Sequence, residues 1–158
     1  ASIGGFIASD TSTIEYIKHN SRSLIFSASP TPAAVAAALA SLDIIESDDS
    51  LRIELLKNTQ FAISKFKSLG FDVGNTETPI IPLYIRNDKK THELAMLLLK
   101  RGIFVNSIAA PAVSRNNSMI RFSLMATHTR EQIDLAIDTI YQCAKELEVP
   151  LSLEAHER

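Results

Sequence analysis

Cysteine occurs once in the 158 residues, at Cys143, which excludes an internal disulfide framework and a cysteine-based zinc site. On a helix, a lone cysteine reads as a small buried hydrophobe and fits a reducing, cytoplasmic setting. Excess charge of one sign is missing too: 16 Lys and Arg against 18 Asp and Glu leave a net charge of −2. With the basic residues scattered, this gives no footprint for nucleic acid. No apolar run reaches the ~20 residues needed to span a bilayer. The Ala-rich stretch PTPAAVAAALASL is shorter, begins with two prolines and reads as a packed soluble helix. The histidines His19, His92, His128 and His156 show no metal-ligand spacing. SIGGF lacks the third glycine and the following acidic residue of a dinucleotide fingerprint.

What is present is a sequence of short elements. SIGGFIA reads as a short buried strand, with Gly4 and Gly5 allowing close backbone approach. Because the chain enters this run directly, the expectation is a piece of a longer protein. Asp10, Thr11 and Ser12 offer N-caps for a helix to about His19, and SLIF reads as a brief extended piece. Pro30 and Pro32 suit the first turn of a helix that runs through the alanines to about Glu46. ESDDS breaks it, and a further helix spans about Ser50 to Leu69, buried through Leu55, Ala62, Phe66 and Leu69 and stopped by Gly70.

Beyond that point the pattern changes. PIIPLYI is a strand that Pro79 and Pro82 push to an edge or a bulge. KTHELAMLLLKRG is a helix with Leu94, Leu97 and Leu98 inward and Gly102 as its stop. IFVNSI and MIRFSLMA are strands, and TREQ makes a capping box for a last helix from Thr129 with Ile133, Ile137, Ile140, Tyr141 and Ala144 on its buried face. The β-α-β-β-α order over 79–147 predicts an α+β layer with helices on one side of a small sheet. The division expected is 1–48 as the edge of another domain, 49–149 as a small domain and 150–158 as a tail.

Two places carry possible chemistry. Alternation places Met119, Arg121, Ser123 and Met125 on one face of their strand, opposite the apolar Ile120, Phe122, Leu124 and Ala126. Arg121 is permanently charged and needs either an acidic partner inside the fold or an anion from outside, for which its fork suits a carboxylate. The spacing does not choose between these. Ser27 and Ser29, in FSASPTP, precede a helix start, where hydroxyls and free backbone N–H groups hold phosphate. Plain N-capping by Ser29 is the competing reading.

The runs ASIGGFIASD, RSLIFSASPTPA, ETPIIPLYI, GIFVN…PAVS and MIRFSLMATHT together resemble the α-oxoamine synthases, in the same order and over nearly the whole chain to about residue 149. These are pyridoxal 5'-phosphate enzymes of the aspartate aminotransferase-like fold type I. The resemblance implies the C-terminal part of such a fold: a small antiparallel sheet with helices on one side, plus the edge of the large domain. It implies a homodimeric acyltransferase that condenses an amino acid with an acyl-CoA and releases CO2. The wording is nearest to the bacterial branch that joins L-serine to palmitoyl-CoA, through KHN-x-RS, FSAS-x-TPA and IRFSLMATHT. The 2-amino-3-ketobutyrate CoA ligase and 8-amino-7-oxononanoate synthase branches come next.

By the same resemblance Arg121 holds the substrate α-carboxylate, and Ser27 and Ser29 reach the cofactor phosphate of the neighbouring subunit. The Schiff-base lysine is expected just before Ala1, so this chain alone is expected to be inactive. The resemblance assigns His128 no catalytic role, so a structural one is expected, and it puts the loop 107–118 near the mouth of the site. Peripheral membrane contact stays open. The reading from a different class is a non-catalytic α+β ligand-binding domain.

Overall fold

The computed structural model describes residues 3–151, and the chain divides into two compact units, Ala1–Asp49 and Ser50–Arg158. His156 and nearly all of the tail lie outside the described residues.

Among the described residues the first unit carries three helices: α1 (Thr11–Asn20), α2 (Arg22–Ile25) and α3 (Pro32–Ser47). Asp10 caps α1 by accepting from the Thr13 N–H at 3.0 Å, and the Ser12 hydroxyl beside it holds its carboxyl well below the usual range. Two expectations fail here. The stretch 3–10 is exposed coil rather than a buried strand, because among the described residues no neighbouring strand offers it a ladder. SLIF is not extended either. Ser21 caps Leu24 N–H, and residues 22–25 close into one helical turn. Gly4 has φ +93°, a backbone that favours glycine, with Pro30 only 3.4 Å from where a Cβ would stand. Pro32 opens α3, but its N-cap is Thr31, which accepts from Ala34 N–H.

The second unit contains α4 (Ser50–Ser68), β1 (Ile80–Tyr84), α5 (Asp88–Lys100), β2 (Asn106–Ile108), β3 (Met119–Ser123) and α6 (Arg130–Glu146). The strands form one antiparallel sheet in the order β1-β3-β2. The connection from β1 through α5 to β2 therefore skips a position, which the last strand fills. Pro82 lies on β1, an edge strand, where its missing N–H costs no ladder bond on the open side. One sheet face, built from Ile81, Leu83, Ile120 and Phe122, is buried with Phe66, Leu94, Leu98, Ile133, Ile137 and Ile140 from the helices. Gly102, at φ +82°, ends α5 as expected, and the capping box at Thr129 starts α6. Cys143 is fully buried, and burial pushes its thiol pKa up, so it is an unreactive packing group.

Polar groups tie the helices together. Asn58 is 2% exposed and donates to the His128 carbonyl at 3.0 Å, which joins α4 to the turn before α6. Lys65 on α4 meets Asp134 at 2.5 Å and Asp138 at 2.6 Å on α6. Burial acts to lower the Lys65 pKa, but hydrogen bonds to the two carboxylates outweigh it and raise the value above the ordinary lysine range. A raised lysine pKa adds stability that is complete below the unfolded value of about 10.4 and disappears as pH climbs through the folded value. The melting temperature of the chain is therefore expected to fall above about pH 10.4, and Lys65→Met should remove that component. An unchanged alkaline slope in Lys65→Met would show that the bridge contributes nothing.

Candidate functional site

The second sheet face is the one that can meet a ligand. In antiparallel pairing, residues opposite one another share a face. Arg121 on the central strand is opposite Pro82 on β1 and Asn106 on β2, and Met119 is opposite Tyr84 and Ile108. The burial along β3 alternates as expected: Ile120 and Phe122 are buried, and Arg121 and Ser123 are exposed. The centre of this face is thus a guanidinium flanked by a proline ring and an amide.

The question left open by spacing is what neutralises Arg121. Arg86 and Arg101 of the same unit have acids beside them: Arg86 pairs with Asp72 at 2.6 Å, and Arg101 pairs with Glu146. The Arg86 guanidinium accordingly holds the Asp72 carboxyl below its ordinary value. Arg130 lies over the Phe61 ring, 3.8 Å from its centroid. Among the described residues no carboxylate lies within ion-pair distance of Arg121. Its side chain donates one hydrogen bond, from Nη2 to Asn106 Oδ1 at 3.4 Å. The residue is exposed, and among the described residues its other side-chain N–H groups have no partner. Asn106 was not singled out in the sequence, because only the strand register brings position 106 opposite position 121.

The other candidates separate. Ser27 and Ser29 belong to the first unit, and Arg121 to the second. The Ser27 hydroxyl donates back to the Ser23 carbonyl at the end of α2. Ser29 is exposed, and among the described residues its hydroxyl has no hydrogen-bond partner. It does not cap α3, since Thr31 does, so the competing N-cap reading fails at Ser29. His128 Nδ1 accepts from the Met125 N–H at 3.1 Å, a turn-closing bond. The same histidine borders a cavity of ≈ 250 Å3 with Phe104, Phe122, Gln132 and Ala136. His92 Nδ1 is 3.2 Å from Ser107 Oγ. Among the described residues no group of three or more His, Cys, Asp or Glu is placed to hold a metal. Every lysine lies on a helix, from Lys18 on α1 to Lys145 on α6.

The model of the family "aminotransferase class I and II" matches residues 1–140. The chain belongs to that family. Its relatives within the aminotransferase class I and II family include a serine palmitoyltransferase of Sphingobacterium spiritivorum, 48% identical over 94% of this chain and 37% of that protein. An 8-amino-7-oxononanoate synthase of Petrotoga mobilis is more distant, 39% identical over 92% of this chain and 37% of that protein. Among solved structures, a serine palmitoyltransferase of S. paucimobilis with bound PLP and myriocin superposes with a TM-score of 0.84 at 25% identity. It covers 94% of this chain and 38% of that one. The chain therefore spans a little over a third of the length of these relatives. Its α+β fold, with the small antiparallel sheet, is that of the C-terminal part of a fold type I PLP-dependent transferase.

Proposed function

We propose that the chain forms the C-terminal part of a PLP-dependent acyltransferase. In the whole protein the reaction is condensation of L-serine with a long-chain acyl-CoA, palmitoyl-CoA, giving 3-ketosphinganine, CoA and CO2. The observation that carries this reading is Arg121, a guanidinium on an exposed sheet face with no carboxylate partner among the described residues. The likeness to serine palmitoyltransferases, stronger than that to 8-amino-7-oxononanoate synthases, favours serine over the other amino acids.

The residues of this chain then have distinct tasks. Arg121 receives the amino-acid carboxylate in a bidentate grip, which orients the bonds at the amino-acid Cα. That is positioning, worth rate because it removes rotational freedom before bonds break. Pyridoxal phosphate, when bound, supplies an electron sink for the pair left behind when a bond to that Cα breaks. Ser29, whose hydroxyl is unengaged among the described residues, fits a donor to the cofactor phosphate, and Ser27 lies two residues before it. Neither residue binds the cofactor covalently, and the helical lysines have no place in that task. In this reading residues 1–48 belong to the large domain, and the active protein is a homodimer in which these serines serve the neighbouring subunit. The stretch 107–118, whose first two residues lie on β2, borders the path of the acyl chain.

Steady-state assays of the full-length protein test the substrate choice. L-serine, glycine and L-alanine are each offered with palmitoyl-CoA and with acetyl-CoA. The expected result is the highest kcat/KM for L-serine with palmitoyl-CoA. Preference for glycine with acetyl-CoA, or for alanine with a shorter acyl donor, would replace this reading with another of the same chemistry.

A further inference from the structure

Asn106 is half-buried on β2, directly opposite Arg121 in the register, and its Oδ1 accepts from Arg121 Nη2 at 3.4 Å. The residue opposite Arg121 on the other side is Pro82, whose ring has no acceptor to offer. The guanidinium at the centre of this face is therefore held from one side only. An arginine side chain left free carries several rotatable bonds and loses much entropy when it is fixed on a ligand. One fixed N–H reduces that loss and leaves the remaining donors of the planar fork to face outward. An amide suits the task better than a carboxylate would. Aspartate at the same point would neutralise the guanidinium and compete with an incoming anion.

We infer that Asn106 is a positioning residue that holds the Arg121 guanidinium in the orientation that receives a ligand carboxylate. The inference rests on the carboxylate-binding reading of Arg121 and adds a second residue to it. Asn106 itself does not touch the reacting atoms. It acts by fixing one N–H of its neighbour, and its influence is confined to ligands that carry the anion.

Calorimetric titration of the full-length protein with L-serine and with ethanolamine, which is L-serine without its carboxylate, tests this. Asn106→Ala is expected to weaken L-serine binding roughly two- to five-fold, the lower part of the range for a single hydrogen bond, since 3.4 Å is long for an N–H···O contact, and to leave ethanolamine binding unchanged. Asn106→Asp is expected to weaken L-serine binding more than Asn106→Ala does, again sparing ethanolamine. Equal weakening of both ligands by Asn106→Ala would mean a general structural role and would overturn the inference. So would unchanged L-serine affinity. Arg121→Ala, titrated in parallel, separates the two levels: if it leaves L-serine affinity intact, the carboxylate reading itself fails, whatever Asn106 does. If Arg121→Ala selectively weakens L-serine but Asn106→Ala does not, only the positioning role fails.

Discussion

Arg121→Ala in the full-length protein should weaken amino-acid binding by roughly 10- to 100-fold, the range for losing hydrogen bonds to a charged group. Its stability should change by less than about 0.5 kcal/mol, as for an exposed residue away from the core. The two halves of this result come from the same geometry. Arg121 is on the sheet face opposite the core, and among the described residues it has no acidic partner and its side chain hydrogen-bonds only to Asn106. A structural arginine would behave in the reverse way, since removing it would strand a buried carboxylate and destabilise the fold. Arg121→Lys should give an intermediate loss, because a lysine keeps the charge and loses the bidentate fork. The amino-acid Kd and the melting temperature, measured on the same preparations, check both halves. A lower melting temperature with unchanged Kd would assign Arg121 to the scaffold.

Phe66→Ala is expected to cost about 3–5 kcal/mol of stability, the range for emptying a buried aromatic site. Phe66 is fully buried on α4 and meets Phe71 and Phe122 edge-to-face, with ring centroids 5.5 Å and 5.2 Å away. It thus joins a helix to the central strand on the face opposite Arg121. Its removal leaves a void bordered by rings that have lost their partner. A loss of this size is comparable to the whole stability of a small domain, ~5–15 kcal/mol. Phe66→Leu keeps most of the apolar volume and should cost clearly less. Urea denaturation of the chain measures both variants, and a loss below about 1 kcal/mol for Phe66→Ala would mean that the site is loosely packed.

The helices of the second unit were legible because their signals are local. The capping box at Thr129, the apolar spacing of Ile133, Ile137 and Ile140, and Gly102 after α5 each depend on residues within a few positions. The first unit is less legible. The stretch 3–10 has strand-like residues but no ladder among the described residues, and SLIF has a β-leaning composition overruled by the Ser21 cap. Two residues beyond FSAS, Thr31 rather than Ser29 supplies the hydroxyl that caps α3, a shift that periodicity does not reveal.

For the candidate site the division is sharper. Sequence alone determined that Arg121 stands on the non-core side of its strand, since a period of two leaves no other assignment once Ile120 and Phe122 are core. It could not determine whether an acid waited there. Ion pairing depends on residues far apart in the chain, as Arg86 with Asp72 and Arg101 with Glu146 show. Only the tertiary structure decided that Arg121 has Asn106 and Pro82 for neighbours. Strand order and register arise from how β1, β2 and β3 bury their shared apolar face, and that choice is made by packing across the whole sheet.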